Sequence, residues 1–301
     1  MDLPHQFIET ICGVHGNAGQ LWLHNFDALL RYCEEAWSLE VMEPFPLSYN
    51  FVAPVVFSDG TEAVLKLCVP GPEVQNEIAA LRAFNGHGIC KLMDADASRG
   101  ILLLEQLKPG NCLKPVQNDE EAVVIAARVV KKMQSRMTVP DVAASAFPSI
   151  AHQKSLDTLR QHLQTGAGTL PGPLVRKVEI LLPQLSSSIR SPRLLHGDLH
   201  HENILWAHEH GWMAIDPKGV IGELEYEVIP FLMNNFPQHD SLAATKFRVD
   251  TFVAELNLQR ERVLSWALCY AVLSAWWSIE DRTEGAEQSI EAAFVFEQLL
   301  A

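Results

Sequence analysis

"LLHGDLHHENILW", residues 194–206, places His196, Asp198, His200, His201, Glu202 and Asn203 close together between apolar flanks, and "MAIDPKGVIGE", residues 213–223, follows a short step later. Three readings compete: a zinc site, a solvated polar turn, and a loop that moves a phosphoryl group. Zinc needs several donors converging on one point. Adjacent His200 and His201 point in different directions on most backbones, and no second group of ligands is evident. Phosphoryl transfer asks for different groups. One carboxylate aligns the attacking hydroxyl and takes its proton, while an amide oxygen and a second carboxylate hold magnesium. Asp198 is followed by Asn203 five residues on, and Asp216 comes thirteen residues after that. The intervening "ILWAHEHGWMAI" reads as strand, turn and strand, a hairpin that returns Asp216 to the neighbourhood of Asn203.

Working outward, "EAVLKLCV", residues 62–69, carries Lys66 on an apolar strand. A lysine is costly to bury alone and usually has an acidic partner. The helix expected next offers Glu73 and Glu77, with Glu77 deeper in it. A Lys66–Glu77 pair would hold an ammonium toward a phosphate. Taken alone, an exposed strand lysine is the simpler reading. "SYNFVAPVVF" and "EAVLKLCV" flank Asp59-Gly60, a hairpin signal, and a second hairpin turns at Ser98-Arg99-Gly100. Residues 18–42 read as one helix stopped by Pro44 and Pro46. After residue 110 the pattern is mainly helical. The expected class is α+β, with a small antiparallel-sheet lobe over residues 1–107 and a larger, mainly helical lobe over 108–301. A cleft between two such lobes is a natural place for a small ligand.

The composition narrows the partners. A net charge of −14 over 301 residues repels nucleic acid and anionic lipid and favours a cationic small molecule, although acidity also serves solubility. The six cysteines are scattered, as expected of reduced thiols in the cytoplasm, and the N-terminus lacks a secretory pattern. "VLSWALCYAVLSAWW", residues 263–277, is short for a bilayer and fits a core helix. Glu280 and Asp281 follow at that helix's end, where the backbone dipole disfavours anions. Two readings stand there, a cationic ligand or a solvated terminus. Glu223, Glu225 and Glu227 form a second acidic group.

"LLHGDLHHENILW", "AIDPKGVIGELEYEV" and "AWWSIEDR" together resemble the aminoglycoside phosphotransferases, relatives of the protein kinases, and within them the streptomycin 6-kinase and hydroxyurea phosphotransferase branch. The likeness spans roughly residues 45–285. It implies a two-lobed, protein-kinase-like fold and transfer of the γ-phosphate of ATP, with Mg2+, to a hydroxyl of a small cationic molecule. Streptomycin or a related aminoglycoside comes first, with antibiotic resistance as the outcome. Hydroxyurea or another small alcohol, sugar or amino alcohol is the alternative, and a non-catalytic nucleotide-binding pseudokinase the third reading. The resemblance implies Asp198 as base, Asn203 and Asp216 as metal ligands, and Lys66 with Glu77 on the nucleotide phosphates. Glu105 to Leu107 would meet the adenine, and His196 would brace the loop. "FPLSYNFVAPV", residues 45–55, departs from the protein-kinase Gly-rich loop in having no glycine, so Ser48 and Asn50 become the expected phosphate contacts. Glu223, Glu280 and Asp281 are the expected acceptor contacts. Lys218 and Gly219 stand where protein kinases have Phe-Gly, and two contacts are open to Lys218 there, a phosphate or a carboxylate.

Overall fold

The computed structural model describes residues 2–116, 118–135, 147–164, 170–237 and 239–301. The chain divides into two compact units, Met1–Asn111 with Trp206–Gly211, and Cys112–Leu205 with Trp212–Ala301.

The first unit opens with helices α1 (His5–His24) and α2 (Phe26–Trp37). Strands β1 (Leu39–Val41), β2 (Phe51–Phe57) and β3 (Glu62–Leu67) follow, then helix α3 (Pro72–Phe84) and strands β4 (Leu92–Asp96) and β5 (Ile101–Glu105). The five strands form one antiparallel sheet in the order β1-β2-β3-β5-β4. Alternation along the strands sets its core face: Phe51, Ala53 and Val55 on β2, and Ala63, Leu65 and Leu67 on β3, are buried. Residues of α1 and α2 complete this core, through Phe7, Ile11, Trp22, Phe26, Leu30 and Cys33. Aromatic contacts run from Phe7 to Trp22 to Phe26 to Phe51, with centroid separations of 6.3, 5.2 and 5.0 Å.

Residues 18–42 therefore do not form the single helix expected of them. The chain breaks at Asn25, and Ser38 takes a left-handed conformation (φ 51°) that ends α2. Leu39 then turns into the core as the first residue of β1, pairing opposite Phe57. The apolar spacing was legible, but a helical stripe and a short buried strand placed end to end share it.

The second unit is mainly helical, with α4 (Asp119–Gln134), α5 (Gln153–Gln164), α6 (Gly172–Ser187), α7 (Leu224–Glu227), α8 (Ile229–Met233), α9 (Ser241–Leu256), α10 (Arg260–Glu280) and α11 (Ala286–Leu300). Between α6 and α7 lie short strands β7 (Arg193–Leu195), β8 (Ile204–Ala207), β9 (Gly211–Ala214) and β10 (Val220–Gly222). β7 pairs with β10, while β6 (Pro109–Cys112), but for Cys112, and the β8–β9 turn Trp206–Gly211 belong to the first unit. Helix α4 starts on an Asn118 cap whose side chain accepts the N–H groups of Glu120 and Glu121. Acids fill its first turn and Lys131 and Lys132 its last, matching the helix dipole.

Among the described residues α10 is the one helix long and apolar enough to cross a membrane. It packs instead against α5, α6, α8, α9 and α11, and Trp266, Leu268, Leu273 and Trp276 are buried there. Both terminal tryptophans are tied to α5: Trp276 Nε1 donates to Thr158 Oγ1 and Trp277 Nε1 to Ser155 Oγ, each at 3.0 Å.

Candidate active site

The loop after β7 and the segment before β10 are held together by their own strands, with Leu195 opposite Val220. Asp198 thus leaves one strand as Lys218 approaches the other. Gly197 between them has φ +79°, and a Cβ there would lie 2.7 Å from Val220 Cγ2. Only glycine meets both conditions at no cost.

Four hydrogen bonds close a ring around this loop. The Asp198 N–H donates to His196 Nδ1 at 3.2 Å. That places the imidazole proton on Nε2, which donates to the Ile215 carbonyl at 2.7 Å. The Ile215 N–H donates to the Asn203 carbonyl at 3.0 Å. The Asn203 side-chain N–H donates to the Asp198 carbonyl at 2.9 Å. The ring binds the backbone of Asp198, of Asn203 and of the residue before Asp216. His196 is fully buried, and burial pushes its imidazole down to about 4, so it stays neutral and keeps this tautomer near neutral pH. Asp216 itself has φ +57°, a left-handed backbone that costs a non-glycine residue roughly 1–3 kcal/mol.

The histidines do not converge. His200 Nδ1 lies 3.1 Å from Glu202 Oε2. His201 stacks on Phe231 at 3.9 Å and bonds Asn234 Oδ1 at 2.8 Å. Among the described residues no group of three or more His, Cys, Asp or Glu side chains is arranged to hold a metal ion.

Two charged groups bear on the loop from outside the ring. Lys218 Nζ lies 3.2 Å from Asp198 Oδ2. Glu227, on α7, is fully buried and accepts the N–H groups of His196 and Gly197 at 3.0 and 3.2 Å. Burial raises its carboxyl to about 8, against the pull of those two donors.

Asp198 and His200 line a cavity of about 280 Å³ in the second unit, shared with Asn234, Tyr270, Ser278 and Glu284. Glu280 and Asp281 are exposed and do not line it. Helix α10 ends at Glu280, and the following turn puts Glu284 on the cavity wall. Glu223 is also elsewhere. It is buried, accepts from Arg262 Nε and Trp266 Nε1, and lines a different cavity of about 490 Å³ with Arg190 and Arg193. Its carboxylate is taken by the protein's own cation.

In the first unit Lys66 on β3 and Glu77 on α3 are both buried, with Nζ 2.7 Å from Oε1. Each charge is costly to bury alone, and the pairing is what makes burial tolerable. Glu105 ends β5, and its side chain accepts from the Lys91 N–H at 3.0 Å and meets His210 Nε2 at 2.9 Å. Leu107 is buried beyond it. Ser48 and Asn50 lie in the bend that leads into β2, Ser48 exposed and Asn50 half-buried.

Sequence reasoning left out Tyr270, Glu284 and the role of Glu227. Tyr270 sat within an apolar run read only as core. Glu284 lies in the turn beyond α10, where no periodicity or motif marks it. Glu227 belongs to an acidic group in which only Glu223 is singled out as an acceptor contact, and the structure buries it beneath the loop.

The family described as aminoglycoside/hydroxyurea antibiotic resistance kinase matches residues 40–282. The chain is 31% identical to the hydroxyurea phosphotransferase of Kitasatospora aureofaciens over 297 residues, covering 93% of this chain and 81% of that protein. It is 27% identical to the streptomycin 6-kinase of Streptomyces griseus, covering 93% of this chain and 91% of the relative. In fold it is similar to a thermostable mutant of an aminoglycoside phosphotransferase solved with ADP and hygromycin B, with a TM-score of 0.63 and 14% identity over 90% of this chain and 97% of the other. A small antiparallel-sheet unit, a helical unit with an "HGDLHHEN" loop, and a match spanning most of the sequence lead to one conclusion: this chain belongs to the aminoglycoside/hydroxyurea antibiotic resistance kinases, phosphotransferases with the protein-kinase-like fold.

Proposed function

We propose that the chain phosphorylates a hydroxyl of a small cationic acceptor at the expense of ATP, with streptomycin or a related aminoglycoside as the first candidate. The observation that carries this reading is the placement of Asp198. Its carboxylate opens on a cavity of about 280 Å³ whose polar lining is mostly hydroxyls and amides, with Glu284 as the other carboxylate. Such a lining suits a hydroxylated ring bearing a cation, and the volume suits one ring of a larger acceptor. Asp198 aligns the acceptor hydroxyl and takes its proton as the oxygen attacks the γ-phosphorus. Lys66, steadied by Glu77, holds nucleotide phosphates, the Glu105–Leu107 backbone meets the base, and Ser48 and Asn50 lie against the phosphates.

Asn203 and Asp216 fit magnesium. Both are hard oxygen donors, and the hydrogen bonds drawn by the Asn203 side chain use its nitrogen. Two protein ligands suit an ion that completes its shell with water and substrate phosphates. When bound, magnesium supplies charge to offset that on the phosphate oxygens.

Hydroxyurea is the second reading, favoured by the 31% identity to a hydroxyurea phosphotransferase. Six free thiols fit a reducing, cytoplasmic setting. The test is ATP consumption by the purified chain against a panel of streptomycin, other aminoglycosides, hydroxyurea and neutral sugars. Turnover on streptomycin that falls about 100-fold or more in Asp198→Asn, the scale of a lost general base, is expected. Indifference to streptomycin at saturation, with turnover on a neutral acceptor, overturns the first choice. No turnover on any acceptor overturns the reading as a whole.

A further inference from the structure

The cation beside the base is the feature that the reaction above leaves unused. Lys218 Nζ lies 3.2 Å from Asp198 Oδ2, yet the lysine side chain is 60% exposed and the aspartate 26%. An ion pair this open contributes about 0–1 kcal/mol to stability. The backbone beneath it is nonetheless tightly specified. The N–H groups of Lys218 and Gly219 both donate to the His196 carbonyl, at 2.9 and 3.2 Å, and Asp216 and Gly219 both have positive φ. The turn thus fixes the root of a side chain whose ammonium meets Asp198 at an exposed position. A left-handed Asp216 next to an exposed ammonium that faces the catalytic carboxylate fits a functional arrangement better than a stabilising one.

We propose that Lys218 is a catalytic residue that bridges Asp198 and the phosphoryl group in flight. The inference rests on the phosphotransferase reading and on Asp198 as base. Lys218 engages Oδ2, so the acceptor hydroxyl takes the other carboxylate oxygen. As the acceptor oxygen bonds to the γ-phosphorus, its proton passes to Asp198. The bond from the γ-phosphorus to the β–γ bridging oxygen breaks, and ADP leaves with that electron pair. The attacking oxygen lies one hydrogen bond from Asp198, so the phosphoryl oxygens come within reach of the same ammonium. Lys218 keeps its proton throughout and donates hydrogen bonds to those oxygens. It also steadies the carboxylate before the acceptor arrives.

The experiment compares wild type with Lys218→Met, Lys218→Arg and Lys218→Ala, using whichever acceptor the panel identifies. Exposure of the side chain lets all three fold, which thermal melting confirms. The expected result for Lys218→Met is a fall in kcat of about 100-fold, the scale of losing one charge-stabilising donor, with KM for ATP and acceptor within threefold of wild type. Lys218→Arg recovers a substantial part of kcat. Lys218→Ala is accelerated by added methylammonium and not by tetramethylammonium, which has no N–H to donate. Unchanged kcat in Lys218→Met overturns the inference, as does a loss confined to KM or one that neither arginine nor methylammonium restores. In each of those cases a wild type that turns over, with Asp198→Asn inactive, leaves the phosphotransferase reading standing. A wild type inert toward every acceptor removes that reading and this inference together.

Discussion

The carboxyl group of Glu227 reaches from α7 to the backbone of His196, its oxygens accepting that N–H at 3.0 Å and the N–H of Gly197 at 3.2 Å. A helix thereby fixes the loop that presents Asp198, through main-chain groups that no side-chain substitution in the loop can replace. Glu227→Ala leaves two buried N–H groups without an acceptor. Each costs about 1–3 kcal/mol, so a lower denaturation midpoint and a fall in kcat larger than any rise in KM for ATP are expected. Chemical denaturation and steady-state kinetics measure both. Unchanged stability would show that the loop is held by its ring of hydrogen bonds alone.

Stability should fall away on both sides of a pH maximum. His152, His196 and His201 are pushed down to about 4, in each case chiefly by burial. Their folded forms take protons less readily than unfolded imidazole, so stability is lost as pH falls from about 6.5, the unfolded value, toward 4. Glu227 has the opposite sign. Its carboxyl is raised to about 8, so the unfolded chain releases that proton first and stability declines as pH rises from about 4.5 toward 8. Melting temperature against pH tests this, and Glu227→Gln should flatten the upper limb.

Breaking the Lys66–Glu77 pair should cost more than deleting it. Lys66→Met strands a buried carboxylate, a loss of about 3–5 kcal/mol in comparable buried pairs. A Lys66→Met, Glu77→Leu double variant should recover much of that stability while remaining weak in ATP binding. Nucleotide titration and denaturation together separate the two effects. A double variant no more stable than Lys66→Met would count against the pair as the reason for the burial.

Glu284→Gln should discriminate among acceptors by charge. A cationic acceptor is expected to lose affinity by about 10-fold, near 1.4 kcal/mol, as KM with little change in kcat. KM for hydroxyurea or a neutral sugar, and for ATP, should stay within twofold. An equal effect on charged and neutral acceptors would mean that Glu284 shapes the cavity rather than reading charge.

Phe26→Ala should destabilise the first unit by about 3–5 kcal/mol, the usual range for an aromatic truncated in a core. Phe26 lies between Trp22 and Phe51, at 5.2 and 5.0 Å, and joins the N-terminal helices to the sheet. A loss under about 1 kcal/mol by denaturant titration would contradict that linking role.

Much of this protein was legible in the sequence, because the signals concerned are local. Period-two alternation around Asp59-Gly60 marked the hairpin of β2 and β3. The spacing of Asp198, Asn203 and Asp216 marked a hairpin that brings its two ends together, and the Ile215 N–H bonds the Asn203 carbonyl as that requires. What sequence left undecided depended on where unrelated segments meet. The helical reading ran past Ser38 because propensity does not register a single left-handed residue followed by a buried strand. Glu223, Glu225 and Glu227 carry the same side chain at alternate positions, and only packing assigns Glu223 to Arg262, Glu227 to the loop backbone, and Glu225 to the Gln259 N–H at the start of α10. A carboxylate's role follows from the groups that desolvate it and the donors within about 3 Å. Residue type sets the chemistry a position is capable of, and tertiary structure decides which partner it meets.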